Sequence, residues 1–170
     1  PKLKLWIMGP TDEDEAYAQE CFDLVKALGV EDVEFTGRVN VKDYLGKMDF
    51  TLLTSISEGQ PLTILESYAA HKPVIATDVG NCRELIYGND DGFGSAGILT
   101  HIMNIEEIAQ AMITMTEDQE ERERMGEVGY KRVNAFYRIE QMKDVYREIY
   151  KELSDKQKLT WTEEPFGLRR

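Results

Sequence analysis

Residues 54–66, Thr-Ser-Ile-Ser-Glu-Gly-Gln-Pro-Leu-Thr-Ile-Leu-Glu, hold the densest chemistry in the sequence. An apolar run ends there, a polar loop follows, and a helix is predicted to start with Pro61 at its first position, where a missing N–H is harmless. A helix N-terminus leaves backbone N–H groups free and carries a partial positive charge. That combination suits phosphate. Gly59 lets a ligand approach the backbone closely. Glu58 lies just outside the helix end, and Glu66 lies roughly 8 Å along the axis from Pro61. A carboxylate beside a phosphate site accepts hydrogen bonds from polyol hydroxyls, not from phosphate. Two carboxylates flanking one phosphate site therefore suggest a nucleotide sugar. A plainer reading stands beside it on spacing alone: Glu58 complements the helix dipole, and Glu66 is a solvated helix residue.

Other reactive residues read as structural. Cys82 falls in the first turn of a predicted helix, where thiolate is favoured, but no histidine is near it in sequence, so a packed core cysteine is expected. Cys21 falls on a helix's apolar face and is expected in the core. His101 reads as loop, and Arg83 as one half of a surface ion pair. The segment 88–97 lacks the Gly-Lys-Ser/Thr ending of a phosphate loop and reads as a flexible loop. Residues 117–124 mix charge signs at helical spacing and read as a solvated face. No His/Cys/Asp cluster suggests a metal. His71 falls just past a helix, where a left-handed backbone is common, and reads as a strained surface turn. His71→Gly is therefore expected to raise the melting temperature.

The elements that position these residues alternate. A strand over 3–8 ends at Gly9-Pro10. Thr11 is expected to cap a helix with acidic residues in its first turn and Ala18, Cys21, Phe22, Val25 and Leu28 on its apolar face. Gly29 stops it. Further strands are predicted over 33–36, 50–54, 73–76 and 97–99, with helices over 41–46 and 61–70. Asn81 with Glu84, and Asn104 with Glu107, read as capping boxes. Ile105, Ile108, Met112 and Met115 then form one apolar face, and another helix opens at 117–124. The last helix carries Ile139, Met142, Val145, Tyr146, Ile149, Tyr150 and Leu153 on one face. Residues 1–153 form the predicted domain, and 154–170 a polar tail in which Trp161 and Phe166 have no evident role. Such alternation implies βαβ units in an α/β fold with a Rossmann-like parallel sheet and flanking helices. Ligands on such sheets sit at the carboxyl ends of strands. Three loops lie there: Gly9-Pro10, Gly37-Arg38-Val39, and 55–60.

Composition bounds the partners. The chain has 170 residues with Lys plus Arg 20 and Asp plus Glu 32, a net charge of −12. That balance argues against nucleic acid and against an anionic membrane surface as main partner. No apolar stretch approaches the ~20 residues of a membrane helix. Two cysteines make no disulfide framework, and a reduced, cytoplasmic setting fits them. The chain opens at Pro1 and runs straight into a strand, which is expected of a piece cut from a longer protein.

Glu58-x7-Glu66, within SEGQPLTILESYAAHKPVIATDVGNCRELI, closely resembles the signature of family 4 retaining glycosyltransferases of the GT-B fold. IMGP after the first strand, VEFTGRV, AGILT and the final YREIYKEL fall in the family's order, so the likeness covers about residues 3–153. TGRVNV and the GFGSAG loop look most like the PelF branch, which builds the Pel exopolysaccharide. The resemblance implies the donor-binding C-terminal domain of a two-domain enzyme, lacking its first strand. It would transfer a hexose from an NDP-sugar, most readily a UDP-sugar, to a polysaccharide or glycan acceptor. Glu58 would contact the sugar and stabilise charge at the anomeric carbon. Glu66 would hold the ribose hydroxyls. The backbone of Gly59, Gln60, Leu62 and Thr63 would bind sugar and diphosphate, and the Thr63 hydroxyl would add a phosphate contact. Arg38 and Val39 would meet the base through their backbone, with Gly9 flanking the nucleotide. No metal or other cofactor is implied, because the nucleotide sugar is itself the substrate.

Departures from the family's pattern matter too. An Arg and a Lys that clamp the donor diphosphate in that family would precede this chain's first strand. The acceptor domain would precede them. This chain alone is therefore expected to be inactive. Gln60 stands where the family often has an aromatic residue, and His71 where it often has Gly. Two other readings remain open from sequence: a non-catalytic nucleotide-sugar-binding module that pairs with a separate chain, and a nucleotide-sugar epimerase fragment.

Overall fold

A computed structural model describes residues 3–156. The order is β1 (Leu5–Met8), α1 (Glu15–Ala27), β2 (Val33–Gly37), α2 (Lys42–Leu45), β3 (Thr51–Leu53), α3 (Leu62–Ala69), β4 (Val74–Thr77), α4 (Cys82–Tyr87), β5 (Gly97–Thr100), α5 (Ile105–Glu117), α6 (Gln119–Phe136) and α7 (Ile139–Lys156). All strand pairs are parallel. The architecture is the expected α/β one, with helices flanking parallel strands. Helix α7 runs to Lys156, past the predicted tail boundary at Ser154, while Trp161 and Phe166 lie outside the described residues.

The strands form two sheets, β1–β2 and β3–β4–β5. The second sheet holds the core. β4 is an unbroken apolar run ending in Thr77 and is buried on both faces, as an interior parallel strand requires. Ile64 and Tyr68 of α3, Leu85 and Ile86 of α4, and Val128 of α6 cover one face. Ala111 and Met115 of α5 join Met125 and Ile75 on the other. Helix α6 comes close enough to do this because it carries glycine at its contacts: a Cβ on Gly129 would sit 2.7 Å from Tyr68 Cγ, and one on Gly126 would strike the His71 carbonyl.

The first sheet has no comparable core. Between residues 3 and 60, Leu45 is the single buried residue, and α1 buries none. Cys21, expected in the core, is half-buried, on a helix that buries none of its residues. The edges of β1 and β3 face a cavity of about 920 Å³, lined along Leu3 to Met8 and Asp49 to Thr54. It falls between β1 and β3, the place a strand joining the two sheets would occupy.

Several local expectations are corrected. Asp14, not Thr11, caps α1, because it stands three residues before the Tyr17 N–H that it accepts (3.0 Å). Pro61 is the residue before α3 and not its first, since its ψ of 116° is still extended. Asn81 makes no side-chain cap bond. Asn104 does accept from the Glu107 N–H (3.1 Å), but the Glu107 carboxylate reaches back to His101 instead of completing a box. Ile105 is exposed, since it precedes the turn that meets the sheet. Arg122 is not solvated: it folds under the end of α5 and donates to the Met115 carbonyl (2.5 Å). His71 takes the left-handed backbone (φ 58°), and its ring stacks on Tyr130 at 3.8 Å and bonds Glu127 at 2.6 Å.

Candidate functional site

The site is built from the turn between β3 and α3. Strand β3 is joined to the helix by a hydroxyl pair, Thr51 Oγ1 and Ser67 Oγ at 2.8 Å, and Ser67 then donates to the Lys72 carbonyl at 3.0 Å. Ile64, Ser67 and Tyr68 turn inward. At helical spacing this leaves Leu62, Thr63 and Glu66 outward, and all three are exposed. Thr63 and Glu66 are one turn apart on one face, and both line the cavity between β1 and β3. No side chain caps the N-terminus of α3. Its free N–H groups and partial positive charge are therefore available to an anion.

The loop 55–60 is held from below by the turn between β4 and α4. The buried Thr77 hydroxyl donates to the Ser55 carbonyl (2.5 Å), and the Asn81 N–H donates to the Gly59 carbonyl (2.8 Å). Glu58 is half-buried, while Gly59 and Gln60 are exposed. Cys82 lies beneath this loop with no exposed surface. Burial pushes its thiol pKa up, and the nearby Glu58 and Asp78 carboxylates add to the rise. A thiol so held is a core residue and not a nucleophile. Arg83 pairs with Asp78 on the surface, as expected.

A second cluster stands at the carboxyl ends of β1 and β2. The Gly9 N–H donates to the Gly37 carbonyl (3.1 Å), which brings the two loops together. Gly37 has a φ of 68°, which turns the chain sharply into Arg38 and Val39. The Arg38 guanidinium is taken up by Glu13 at 2.7 Å, so the backbone here is what a ligand would meet. The structure thus joins Gly9 to 37–39, and Glu58 through Glu66 to one another. Of these site residues only Thr63 and Glu66 line the 920 Å³ cavity, with Met8 and Thr54 beside them; Gly9, Arg38, Val39, Glu58, Gly59, Gln60 and Leu62 lie outside its lining.

Two features escaped the sequence reading. Thr77, Gly80 and Asn81 support the loop from a separate turn, and of the three the sequence marks only Asn81, as a helix cap. Arg132 of α6 is 1% exposed and pins the loop 88–94, which had read as flexible: it bonds Asp91, the Gly94 carbonyl, and the carbonyls of Leu85 and Ile86. Among the described residues no group of three or more His, Cys, Asp and Glu could hold a metal, and no helix is long and apolar enough to cross a membrane.

Comparison with known proteins bears on this geometry. The N-acetyl-alpha-D-glucosaminyl L-malate synthase of Bacillus anthracis is 34% identical over 129 residues, covering 75% of this chain and 32% of that protein. The D-inositol 3-phosphate glycosyltransferase of Kineococcus radiotolerans is 27% identical over 143 residues, covering 79% of this chain and 33% of its own length. The chain thus spans about a third of the curated relatives it matches. Among solved structures, Anabaena HepE in complex with UDP-glucose superposes with a TM-score of 0.77 at 21% identity, over 91% of this chain and 42% of that one. Sucrose-phosphate synthase from Thermosynechococcus elongatus gives 0.75 at 22% identity, over 88% and 39%. At such identities the superpositions speak for the fold, which is GT-B. The family described as Glycosyl transferases group 1 matches residues 1–132, and the chain belongs to it.

Proposed function

We propose that this chain is the donor-binding half of a retaining glycosyltransferase that takes a hexose from a UDP-sugar and passes it to a polysaccharide or glycan acceptor. One observation carries the reading: Thr63 and Glu66 share the exposed face of α3, behind an uncapped N-terminus, at the rim of the cavity. In this reading the Glu66 carboxylate accepts hydrogen bonds from the ribose hydroxyls. The N–H groups of Gly59, Gln60, Leu62 and Thr63 meet the diphosphate and sugar. Glu58 touches the sugar hydroxyls and steadies positive charge at the anomeric carbon as the bond to the diphosphate breaks. The acceptor attacks on the face from which the diphosphate leaves, so configuration is retained, and the leaving diphosphate takes the acceptor's proton. The backbone of Arg38 and Val39 meets the base edge, with Gly9 beside it.

HepE is described with UDP-glucose bound, which supports a UDP-sugar as the first probe. We take the groups that clamp the diphosphate to precede the first strand of this chain and the acceptor site to lie on a domain preceding them, so this chain alone transfers no sugar. The two free cysteines support a cytoplasmic setting. Titration of the chain with UDP, UDP-glucose and GDP-mannose tests the reading. Glu66→Ala should weaken UDP about tenfold or more, the loss of charge-assisted hydrogen bonds of about 1.5–3 kcal/mol. Glu58→Ala should leave UDP affinity alone and weaken only the sugar-bearing ligand. UDP binding unchanged by Glu66→Ala would overturn the ribose assignment.

A further inference from the structure

We infer that the turn between β4 and α4, through Thr77, Gly80 and Asn81, is a clamp that orients the donor-binding backbone of Gly59 and Gln60. The inference rests on the donor reading above and adds to it the residues that set its geometry.

In a trans peptide the C=O and N–H point in opposite directions, and no peptide bond among the described residues is cis. The Gly59 carbonyl accepts the Asn81 N–H at 2.8 Å. The Gln60 N–H, in the same peptide, therefore points away from the turn. The Glu58 carbonyl packs directly against Gly80, so the Gly59 N–H points away as well. Neither of these N–H groups has a hydrogen-bond partner among the described residues. Consecutive backbone N–H groups turned the same way form a concavity that suits an anion. Pro61 contributes no donor, and Leu62 and Thr63 at the start of α3 continue the row.

Two further contacts fix the loop against sliding. Thr77 Oγ1, fully buried, donates to the Ser55 carbonyl at 2.5 Å and holds the near end. At the far end the fit to Gly80 is closed: a Cβ there would lie 2.6 Å from the Gly59 carbonyl oxygen and closer still to that of Glu58. Backbone cannot yield to that contact as a flexible side chain would. Gly80 also has a φ of 51°. Any side chain at residue 80 must push both carbonyls away and rotate the two N–H groups with them. Gly80 is thus a positioning residue, since it acts on a ligand only through residues 58–60.

The test separates clamp from strain. Gly92 has a φ of 72° and nothing within 4 Å of an added Cβ, so Gly92→Ala carries the left-handed cost without the clash. Amide resonances of Gly59 and Gln60 are recorded for the wild-type chain, Gly80→Ala and Gly92→Ala, and each is titrated with UDP-glucose. Gly80→Ala should shift both amides and weaken UDP-glucose about tenfold or more, and Gly92→Ala should do neither. Thr77→Val should shift the same amides, and Thr77→Ser, which keeps the hydroxyl, should restore them. These Thr77 variants decide the question if Gly80→Ala does not fold. The clamp is overturned if Gly80→Ala moves the two amides no more than Gly92→Ala does. If the wild-type chain takes no UDP-glucose, the donor reading fails, and the amide comparison alone decides the clamp.

Discussion

Replacing Arg132 should unlatch one whole side of the molecule. Its side chain is 1% exposed and every guanidinium N–H is used. Nε donates to Asp91 Oδ2 at 2.5 Å, and Nη2 donates to Asp91 Oδ1 at 3.1 Å and to the Gly94 carbonyl at 2.6 Å. Nη1 donates to the carbonyls of Leu85 and Ile86 at 3.1 and 2.9 Å. Arg132→Leu leaves a buried carboxylate and three carbonyls without these donors. Breaking a buried pair by removing one partner costs about 3–5 kcal/mol, and at ~2–4 °C per kcal/mol the melting temperature should fall by roughly 6–20 °C. Arg132→Lys keeps the charge but loses the fork, so it should fall between the two. Arg132→Leu with Asp91→Leu should recover much of the loss, because neither charge is then buried alone. The pH dependence has a definite sign. The Arg132 hydrogen bonds, chiefly, hold the Asp91 carboxyl below the usual carboxylate range, against the opposing effect of burial. A depressed carboxylate contributes stability that is complete above its unfolded pKa of about 3.9 and is lost as pH falls through the folded value. The gap in melting temperature between wild type and Arg132→Leu, measured by circular dichroism, should thus be full at pH 7 and shrink below about pH 4. Arg132→Leu melting within about 2 °C of wild type at pH 7 would refute the reasoning.

Two further outcomes follow from the packing. His71→Gly removes a left-handed backbone cost of about 1–2 kcal/mol, but it also gives up the Tyr130 stack, about 0.5–1.5 kcal/mol, and an exposed ion pair with Glu127. The rise expected from sequence should therefore shrink to within about 1 kcal/mol, and a melting shift beyond ~4 °C in either direction would contradict this balance. A longer polypeptide that lays an apolar strand between β1 and β3, parallel to both, should raise the melting temperature and protect the amides of both strands from hydrogen exchange. Unchanged exchange in β1 would show that its open edge is not a strand site.

The sequence announced the parts of this fold that depend on local periodicity, and it was silent where distant segments meet. All five strands and the order of helices followed from apolar runs punctuated by glycine and proline. The Glu58 to Glu66 stretch was legible because a strand, a loop and a helix are contiguous there. Helix caps were less so: Thr11 and Asn81 satisfy the capping pattern, yet Asp14 stands directly before the first residue of α1, three positions after Thr11, and the Asn81 backbone is engaged by Gly59. In sequence Arg132 is one more charge on a helix rich in charged residues. Its burial depends on where Asp91, the Gly94 carbonyl and two helix-end carbonyls of α4 fall, 38–47 positions earlier in the chain. No periodicity reports that.

The uneven core bears on how a donor would be held. Helix α3 and its loop rest on β4, which is buried on both faces, and are braced by Thr77 and Asn81. The Gly9 and Gly37 loops rest on a two-stranded sheet with little beneath it. Two strands alone are marginal in water, and a third is needed for independent stability. A ligand bridging the two groups would thus meet one rigid wall and one that must be ordered at a cost in affinity. Anything that fills the 920 Å³ gap between β1 and β3 lowers that cost before the ligand arrives. It would do so by making one sheet of two and so fixing the distance between the base end of the site and its phosphate end. Under this account, completing the sheet tightens UDP-glucose more than it tightens any ligand confined to the α3 side, and equal tightening of both would separate sheet stability from ligand binding.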